Sequence, residues 1–83
     1  MSNKYTTEVI VLKNGKPSSG HRVSLEFTGG VLSGGLTNDF HTNSSGVAFV
    51  EHESTGSVKV YVDGNHSNHG TTGRAPGRVT VYI

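Results

Sequence analysis

Five histidines in 83 residues are the first side chains to test for chemistry. His66 and His69 share one segment with Asn65, Ser67 and Asn68. Imidazole suits zinc, copper and nickel, and a site needs three or four ligands converging on the ion. Two histidines on a loop supply half of that, and Asp63 or Asp39 would have to complete the set. A weaker combination places His41 and Asp39 on one strand face with His52 opposite, since cross-strand neighbours lie about 5 Å apart. Polar, solvent-facing residues are the plainer reading of these four histidines. No metal or cofactor is therefore expected, with His66 and His69 the weak candidates.

Other chemistries leave still less. Ser67, His69 and Asp63 make a Ser–His–Asp set on paper, but ten serines and five histidines generate such sets by chance. No serine sits in a Gly-x-Ser-x-Gly elbow. The six acids are scattered, with no pair placed for glycoside hydrolysis. Gly29-Gly30-Val31-Leu32-Ser33-Gly34-Gly35 is not followed by Lys-Ser/Thr or by a helix that would offer its N-terminus to a phosphate. Arg74 with His66 and His69 can hold an anion weakly, and a small ligand is the most that segment suggests. The chain reads as a protein that is not an enzyme.

Composition narrows the partners. Net charge is +1 and 16% of residues are charged, with basic residues scattered from Lys4 to Arg78 among the acids. A nucleic-acid binder normally gathers its Lys and Arg on one face, so nucleic acid is not an expected partner. There is no cysteine, which removes disulfides and thiolate metal sites. The first residues lack the apolar stretch of a signal peptide, so a cytoplasmic location is the default expectation. The longest apolar run, Val9-Ile10-Val11-Leu12, is too short to span a bilayer as a helix.

The elements that must carry these residues are strands. Eleven valines and nine threonines stand against four leucines, two alanines and no glutamine. β-Branched side chains pack well on a pleated surface, while good helix formers are nearly missing. Residues 4–12 form a first run, closed by the hairpin signal Asn14-Gly15. Val23, Leu25 and Phe27 alternate with Ser24 and Glu26 in residues 21–28, the period of a half-buried strand. Weaker alternation follows over 36–42, then runs over 47–52, 58–62 and 78–83, with Val79, Val81 and Ile83 inward. Residues 65–77 are the longest stretch without a pattern.

Six runs at intervals of roughly 10–12 residues, with a seventh short strand inside a loop, predict one all-β domain over 1–83. Its architecture is expected to be a seven-stranded (six to eight) antiparallel Greek-key sandwich. The predicted core is Val9, Val11, Val23, Leu25, Phe27, Phe40, Ala48, Val50, Val58, Val60, Val62, Val79 and Val81. Both faces of residues 47–50 are apolar, so either set can point inward there.

Two surfaces are candidates for binding. Long loops without secondary structure are often functional, which selects 65–77 with His66, His69 and Arg74. If the valines of 58–62 and 78–83 point inward, Tyr61 and Tyr82 point outward, and Phe49 joins them if Ala48 and Val50 are core. A stripe of Phe49, Tyr61 and Tyr82 would be an interaction patch. It requires the three strands to be neighbours in one sheet.

The turn pattern resembles the carboxypeptidase regulatory-like, or transthyretin-like, β-sandwich family. Gly15-Lys16-Pro17 leads into Val23-Ser24-Leu25-Glu26-Phe27. Thr42-Asn43-Ser44-Ser45-Gly46 leads into Val47-Ala48-Phe49-Val50, and Ser57–Val62 ends in Asp63-Gly64. Bacterial immunoglobulin-like modules use a similar Thr-x-x-x-Gly turn. One enzymatic branch of the transthyretin-like fold, which hydrolyses 5-hydroxyisourate, carries a C-terminal Tyr-Arg-Gly-Ser. This chain ends Arg78-Val79-Thr80-Val81-Tyr82-Ile83, so no catalytic role transfers from it. Taken with the missing catalytic signatures and the candidate aromatic stripe, the resemblance leads to the expectation of a non-enzymatic module that associates with itself or with another protein.

Overall fold

The alternation of buried and exposed positions that the valines impose runs through every long strand of the chain. A computed structural model describes residues 4–28, 35–66 and 72–83, the side chains of Asn65 and His66 excepted. No helix occurs among them. The strand segments are β1 (Tyr5–Lys13), β2 (Lys16–Pro17), β3 (Arg22–Phe27), β4 (Gly35–Leu36), β5 (Phe40–His41), β6 (Val47–His52), β7 (Gly56–Val62), β8 (Asn65–His66), β9 (Thr72–Ala75) and β10 (Arg78–Tyr82).

They form two sheets. In the first, β1 is central. Val9 pairs with both Val79 of β10 and Ala48 of β6, so those strands flank it on opposite edges. The short β2 joins the β6 side, because Leu12 faces Pro17 on one edge and Tyr82 on the other. In the second sheet β3 pairs with β7 on one edge and with β4 and β5 on the other. The far edge of β7 takes β8 and β9.

The inward residues of both sheets meet in one core. Val9, Val11, Ala48, Val50, Val79 and Val81 come from the first sheet. Val23, Leu25, Phe27, Val58, Val60, Val62 and Ala75 come from the second. Burying each of the larger side chains contributes roughly 1.5–3 kcal/mol. The ambiguous parity at residues 47–50 resolves with Ala48 and Val50 inside and Phe49 out.

The turns follow their sequence signals. Asn14 and Gly15 have φ of 53° and 81°, and Asp63 and Gly64 have 55° and 83°. Two successive residues in the left-handed region make the hairpin turn that Asn-Gly and Asp-Gly favour. Asn43 closes the turn before β6 differently. Its Oδ1 accepts the backbone N–H groups of Ser45 (2.9 Å) and Val47 (3.2 Å).

Four local expectations are corrected. The run at 36–42 breaks into β4 and β5, because Thr37 turns both its groups onto Leu25. Its N–H donates to Leu25 O (2.9 Å) and its Oγ1 accepts the Leu25 N–H (3.0 Å). Leu36 is left exposed, and Phe40, expected in the core, packs only against its margin. Residues 65–77 are not patternless, since β8 and β9 lie within them. His66 faces Tyr61 and Thr72 faces Lys59, so six steps along this arm match two along β7. Ile83 is exposed rather than inward.

The fourth correction concerns direction. Most pairs are antiparallel, but β1 and β10 run parallel. β10 is reached by a crossing from β9 in the other sheet, with a cis Ala75–Pro76 bond on the way. No tight hairpin joins β1 to β10, so nothing local imposes the antiparallel sense. The Glu8 N–H donates to Gly77 O (2.9 Å), which pins β10 at its entry.

Candidate functional site

The outer face of the first sheet carries an apolar patch bordered by polar residues. Alternation against the buried residues of β1, β6 and β10 puts Glu8, Ile10 and Leu12 outward in the middle, with Val47 and Phe49 on one side and Arg78, Thr80 and Tyr82 on the other. Ile10, Leu12 and Val47 are half-buried by their neighbours, whereas Phe49 is 52% exposed and Tyr82 59%. Arg78 Nη2 lies 3.5 Å from Glu8 Oε1. The expected stripe is therefore divided. Phe49 and Tyr82 share this face, and Tyr61 belongs to the second sheet. There its hydroxyl donates to Glu26 Oε1 (2.8 Å). That hydrogen bond raises the phenol above its ordinary pKa, because losing the proton would end the donation and set two negative charges together.

The histidine segment falls partly outside the described residues: His69 is not among them, and His66 is placed only by its backbone in β8. Arg74 is exposed on β9, opposite Ser57. His41 and His52 lie in different sheets, so the cross-strand combination with Asp39 does not assemble. Among the described residues no group of three or more His, Asp or Glu is placed to hold a metal ion.

A different histidine carries the densest polar geometry. His21, just before β3, bonds Asp63 Oδ2 through Nδ1 at 2.7 Å and Ser18 Oγ through Nε2 at 2.7 Å. Asp63 belongs to the Ser–His–Asp set considered from sequence, whose Ser67 and His69 lie outside the described residues. The Arg22 N–H donates to Asp63 Oδ1 (3.1 Å), so both carboxylate oxygens are engaged. Buried Thr42 holds the other half. Its Oγ1 accepts the His21 N–H (2.9 Å) and donates to Ser18 O (2.9 Å). An ionised carboxylate only accepts, so Nδ1 carries a proton. In the neutral ring Nε2 then accepts the Ser18 hydroxyl.

The His21 hydrogen bond, helped by the Arg22 N–H and by charge, holds Asp63 below the ordinary carboxylate value against a smaller opposing effect of burial. A depressed folded pKa adds stability that is present above the unfolded value and lost as pH falls through the folded one. Asp63→Asn should accordingly be less stable than wild type near neutrality, with the gap closing in acid. Denaturant titrations at about pH 7 and about pH 2 measure this, and a gap that stays constant would refute the linkage. Asp63 is half exposed, so solvent screening keeps the effect small.

A cavity of about 460 Å³ is lined in part by Lys4, Phe27, Leu36, Phe40, Glu51 and His52. That volume lies in the range of small-molecule sites. His52 is buried there, 6.0 Å from the Tyr5 ring centroid in a stacked arrangement and 5.3 Å from that of Phe27. Its Nδ1 donates to Ser54 O (2.8 Å), so in the neutral ring Nε2 accepts from the buried Thr7 hydroxyl (2.7 Å).

The contacts that sequence reasoning missed are long-range. Ser18 and His21 are three residues apart, but Asp63 is 42 residues from His21. The one local signal was Asp63-Gly64, which marked a turn and not the strand start it would meet. No protein-family model, curated protein or solved structure matches this chain. What the fold defines is an all-β protein of two sheets, in which no helix among the described residues is long and apolar enough to cross a membrane.

Proposed function

We propose that the chain is a β-sandwich module acting through protein association, with the outer face of the β10–β1–β6 sheet as its contact surface. The supporting observation is the exposure of Phe49 and Tyr82 on a face whose centre is Ile10 and Leu12. Contiguous exposed apolar surface of this kind marks interaction sites. The sandwich is read as Greek-key and transthyretin-like rather than immunoglobulin-like. In favour of this, β1 and β3 lie in different sheets, whereas immunoglobulin domains keep their first two strands in one.

The occupant that suits the face is a second copy of this chain. With the two-fold axis along β1, Ile10 meets Ile10 and Leu12 meets Leu12. Each Tyr82 then covers the partner's Pro17, and each Arg78 lies over the partner's Phe49 in a cation–π pair. The same axis sets Glu8 opposite Glu8, and each carboxylate is offset by the Arg78 beside it, 3.5 Å away. Three strands at about 4.8 Å spacing and seven residues at about 3.3 Å give roughly 300 Å² of sheet plane per copy. This is small, so the dimer is weak and reversible.

Sedimentation velocity between about 10 μM and about 1 mM should show the weight-average mass rising towards a dimer. Phe49→Lys should weaken the association about tenfold or more, while Thr72→Lys, on the other sheet, leaves it unchanged. A wild type that stays monomeric throughout the range defeats the reading.

A second reading, small-ligand binding, rests on the cavity beside His52 instead of on residues 65–77. An NMR titration with small aromatic compounds that shifts Leu36, Phe40 and His52 together supports it. Shifts elsewhere, or none, remove it.

A further inference from the structure

We propose that Ser18, His21 and Asp63 form an acyl-transfer array, with Ser18 as a nucleophile towards activated esters and fluorophosphonates. It goes beyond the association reading and rests on residues outside that contact face. A nucleophilic serine needs its hydroxyl on an imidazole nitrogen whose other nitrogen is oriented by a carboxylate. Here both bonds are 2.7 Å, in the order Ser18 Oγ, His21 Nε2, His21 Nδ1, Asp63 Oδ2. Such constellations are recognised by geometry and role rather than by fold or chain order.

The backbone around the array is tied down as a working site requires. The Ser18 N–H donates to Val11 O (3.0 Å), the Gly20 N–H to Thr42 O (2.9 Å) and the Thr42 N–H to His21 O (2.9 Å). The buried Thr42 hydroxyl joins the Ser18 carbonyl to the His21 N–H. Asp63 occupies a left-handed turn position, fixed by its bond from the Arg22 N–H. The array is nevertheless open to solvent, with the His21 side chain 17% exposed and Ser18 half-buried. A reagent can therefore reach it.

The chemistry balances without a co-reactant other than water. Ser18 Oγ forms a bond to the ester carbonyl carbon as its proton passes to His21 Nε2, and Asp63 holds the imidazolium. Collapse breaks the bond between that carbon and the leaving oxygen, which departs as a phenol on taking the proton from Nε2. Water, losing a proton to His21, then attacks the acyl-serine. The carboxylic acid leaves, and the proton returns to Ser18 Oγ. Because the Asp63 carboxylate is half exposed, its field is screened and activation is modest. The acyl donor must therefore carry a good leaving group, as aryl esters do. Ser18 and His21 are the catalytic residues, and Asp63 is a positioning residue.

The test uses the whole chain with a fluorophosphonate, located by peptide mass spectrometry, and with p-nitrophenyl acetate, followed by release of nitrophenolate. With the fluorophosphonate, Ser18 Oγ bonds to phosphorus as the P–F bond breaks and fluoride leaves, the serine proton passing to His21. The adduct is expected on Ser18 and on none of the other nine serines. Both reactions should vanish in Ser18→Ala and slow roughly 100-fold in His21→Gln. Asp63→Asn should lower the acylation rate constant without changing the concentration of half-saturation, a split that a purely structural role would not produce. Circular dichroism checks that each variant is folded, and if His21→Gln is not, Asp63→Asn carries the comparison. Absence of a Ser18 adduct in the wild type overturns the proposal. So does an equal labelling rate in a folded His21→Gln or Asp63→Asn protein.

Discussion

Gly46→Ala is expected to destabilise the protein by roughly 2–5 kcal/mol. Gly46 is buried at the turn before β6 with φ +75°, a conformation costing an L-residue about 1–2 kcal/mol. Space is the second cost. An added Cβ would sit 2.9 Å from Pro17 Cβ, 2.9 Å from the Ser18 nitrogen and 3.0 Å from Pro17 Cα. Two of these are backbone atoms, and they cannot turn aside as a flexible side chain would. Overpacking of this kind costs about 1–3 kcal/mol. Gly15→Ala is the control, since Gly15 has φ +81° and nothing within 4 Å of the added Cβ. It should show the conformational cost alone. A domain of this size has a total stability of about 4–12 kcal/mol. The Gly46 variant should then melt about 10–25 °C lower, and the Gly15 variant about 5–10 °C lower. Equal shifts in the two would mean that the turn moves freely away from Pro17 and Ser18. The same displacement carries Ser18 away from His21, so Ser18 labelling should fall in the Gly46 variant and not in the Gly15 one.

His52→Ala is expected to cost roughly 3–4 kcal/mol. The ring is buried between Tyr5 and Phe27, and its removal leaves a void that the surrounding sheet fills only in part. It also leaves two former partners, the Thr7 hydroxyl, which has no exposed surface, and the Ser54 carbonyl. Each buried polar group left without its partner costs about 1–3 kcal/mol. Thr7→Val removes the other end with little change in shape and should cost about 1–2 kcal/mol, because Nε2 is then the orphan. In the double variant Thr7→Val/His52→Ala neither polar end is stranded, so its cost should fall below the sum of the two. Additive costs from denaturant titration would show that the Thr7–His52 bond contributes nothing of its own.

These two sites differ in how far they could be read from sequence. The turn at 43–46 was legible as Asn43-Ser44-Ser45-Gly46, because the φ requirement of a turn is local. Its clash with Pro17 and Ser18 was not, because those residues arrive from the β1–β3 connection. His52 read, with His41 and Asp39, as part of a polar solvent face. Its parity in β6, shared with Ala48 and Val50, in fact points it inward, where the Thr7 hydroxyl and two aromatic rings enclose it.

The division extends over the whole protein. The inward facing of Val9, Val11, Val23, Leu25, Phe27, Val58, Val60, Val62, Val79 and Val81 was determined by sequence alone, because strand side chains alternate with a period of two whatever the partner strand; the exposed Ile83 is the exception. The hairpin turns at Asn14-Gly15 and Asp63-Gly64 were equally local. Tertiary structure alone decided which strands became neighbours. It put Phe49 and Tyr82 on one face and Tyr61 on the other sheet, and set β10 parallel to β1. It also brought Asp63 to His21 and Ser18. Period-two alternation specifies a face but no edge, and edges are chosen by how the connections close and how the two sheets bury a common core.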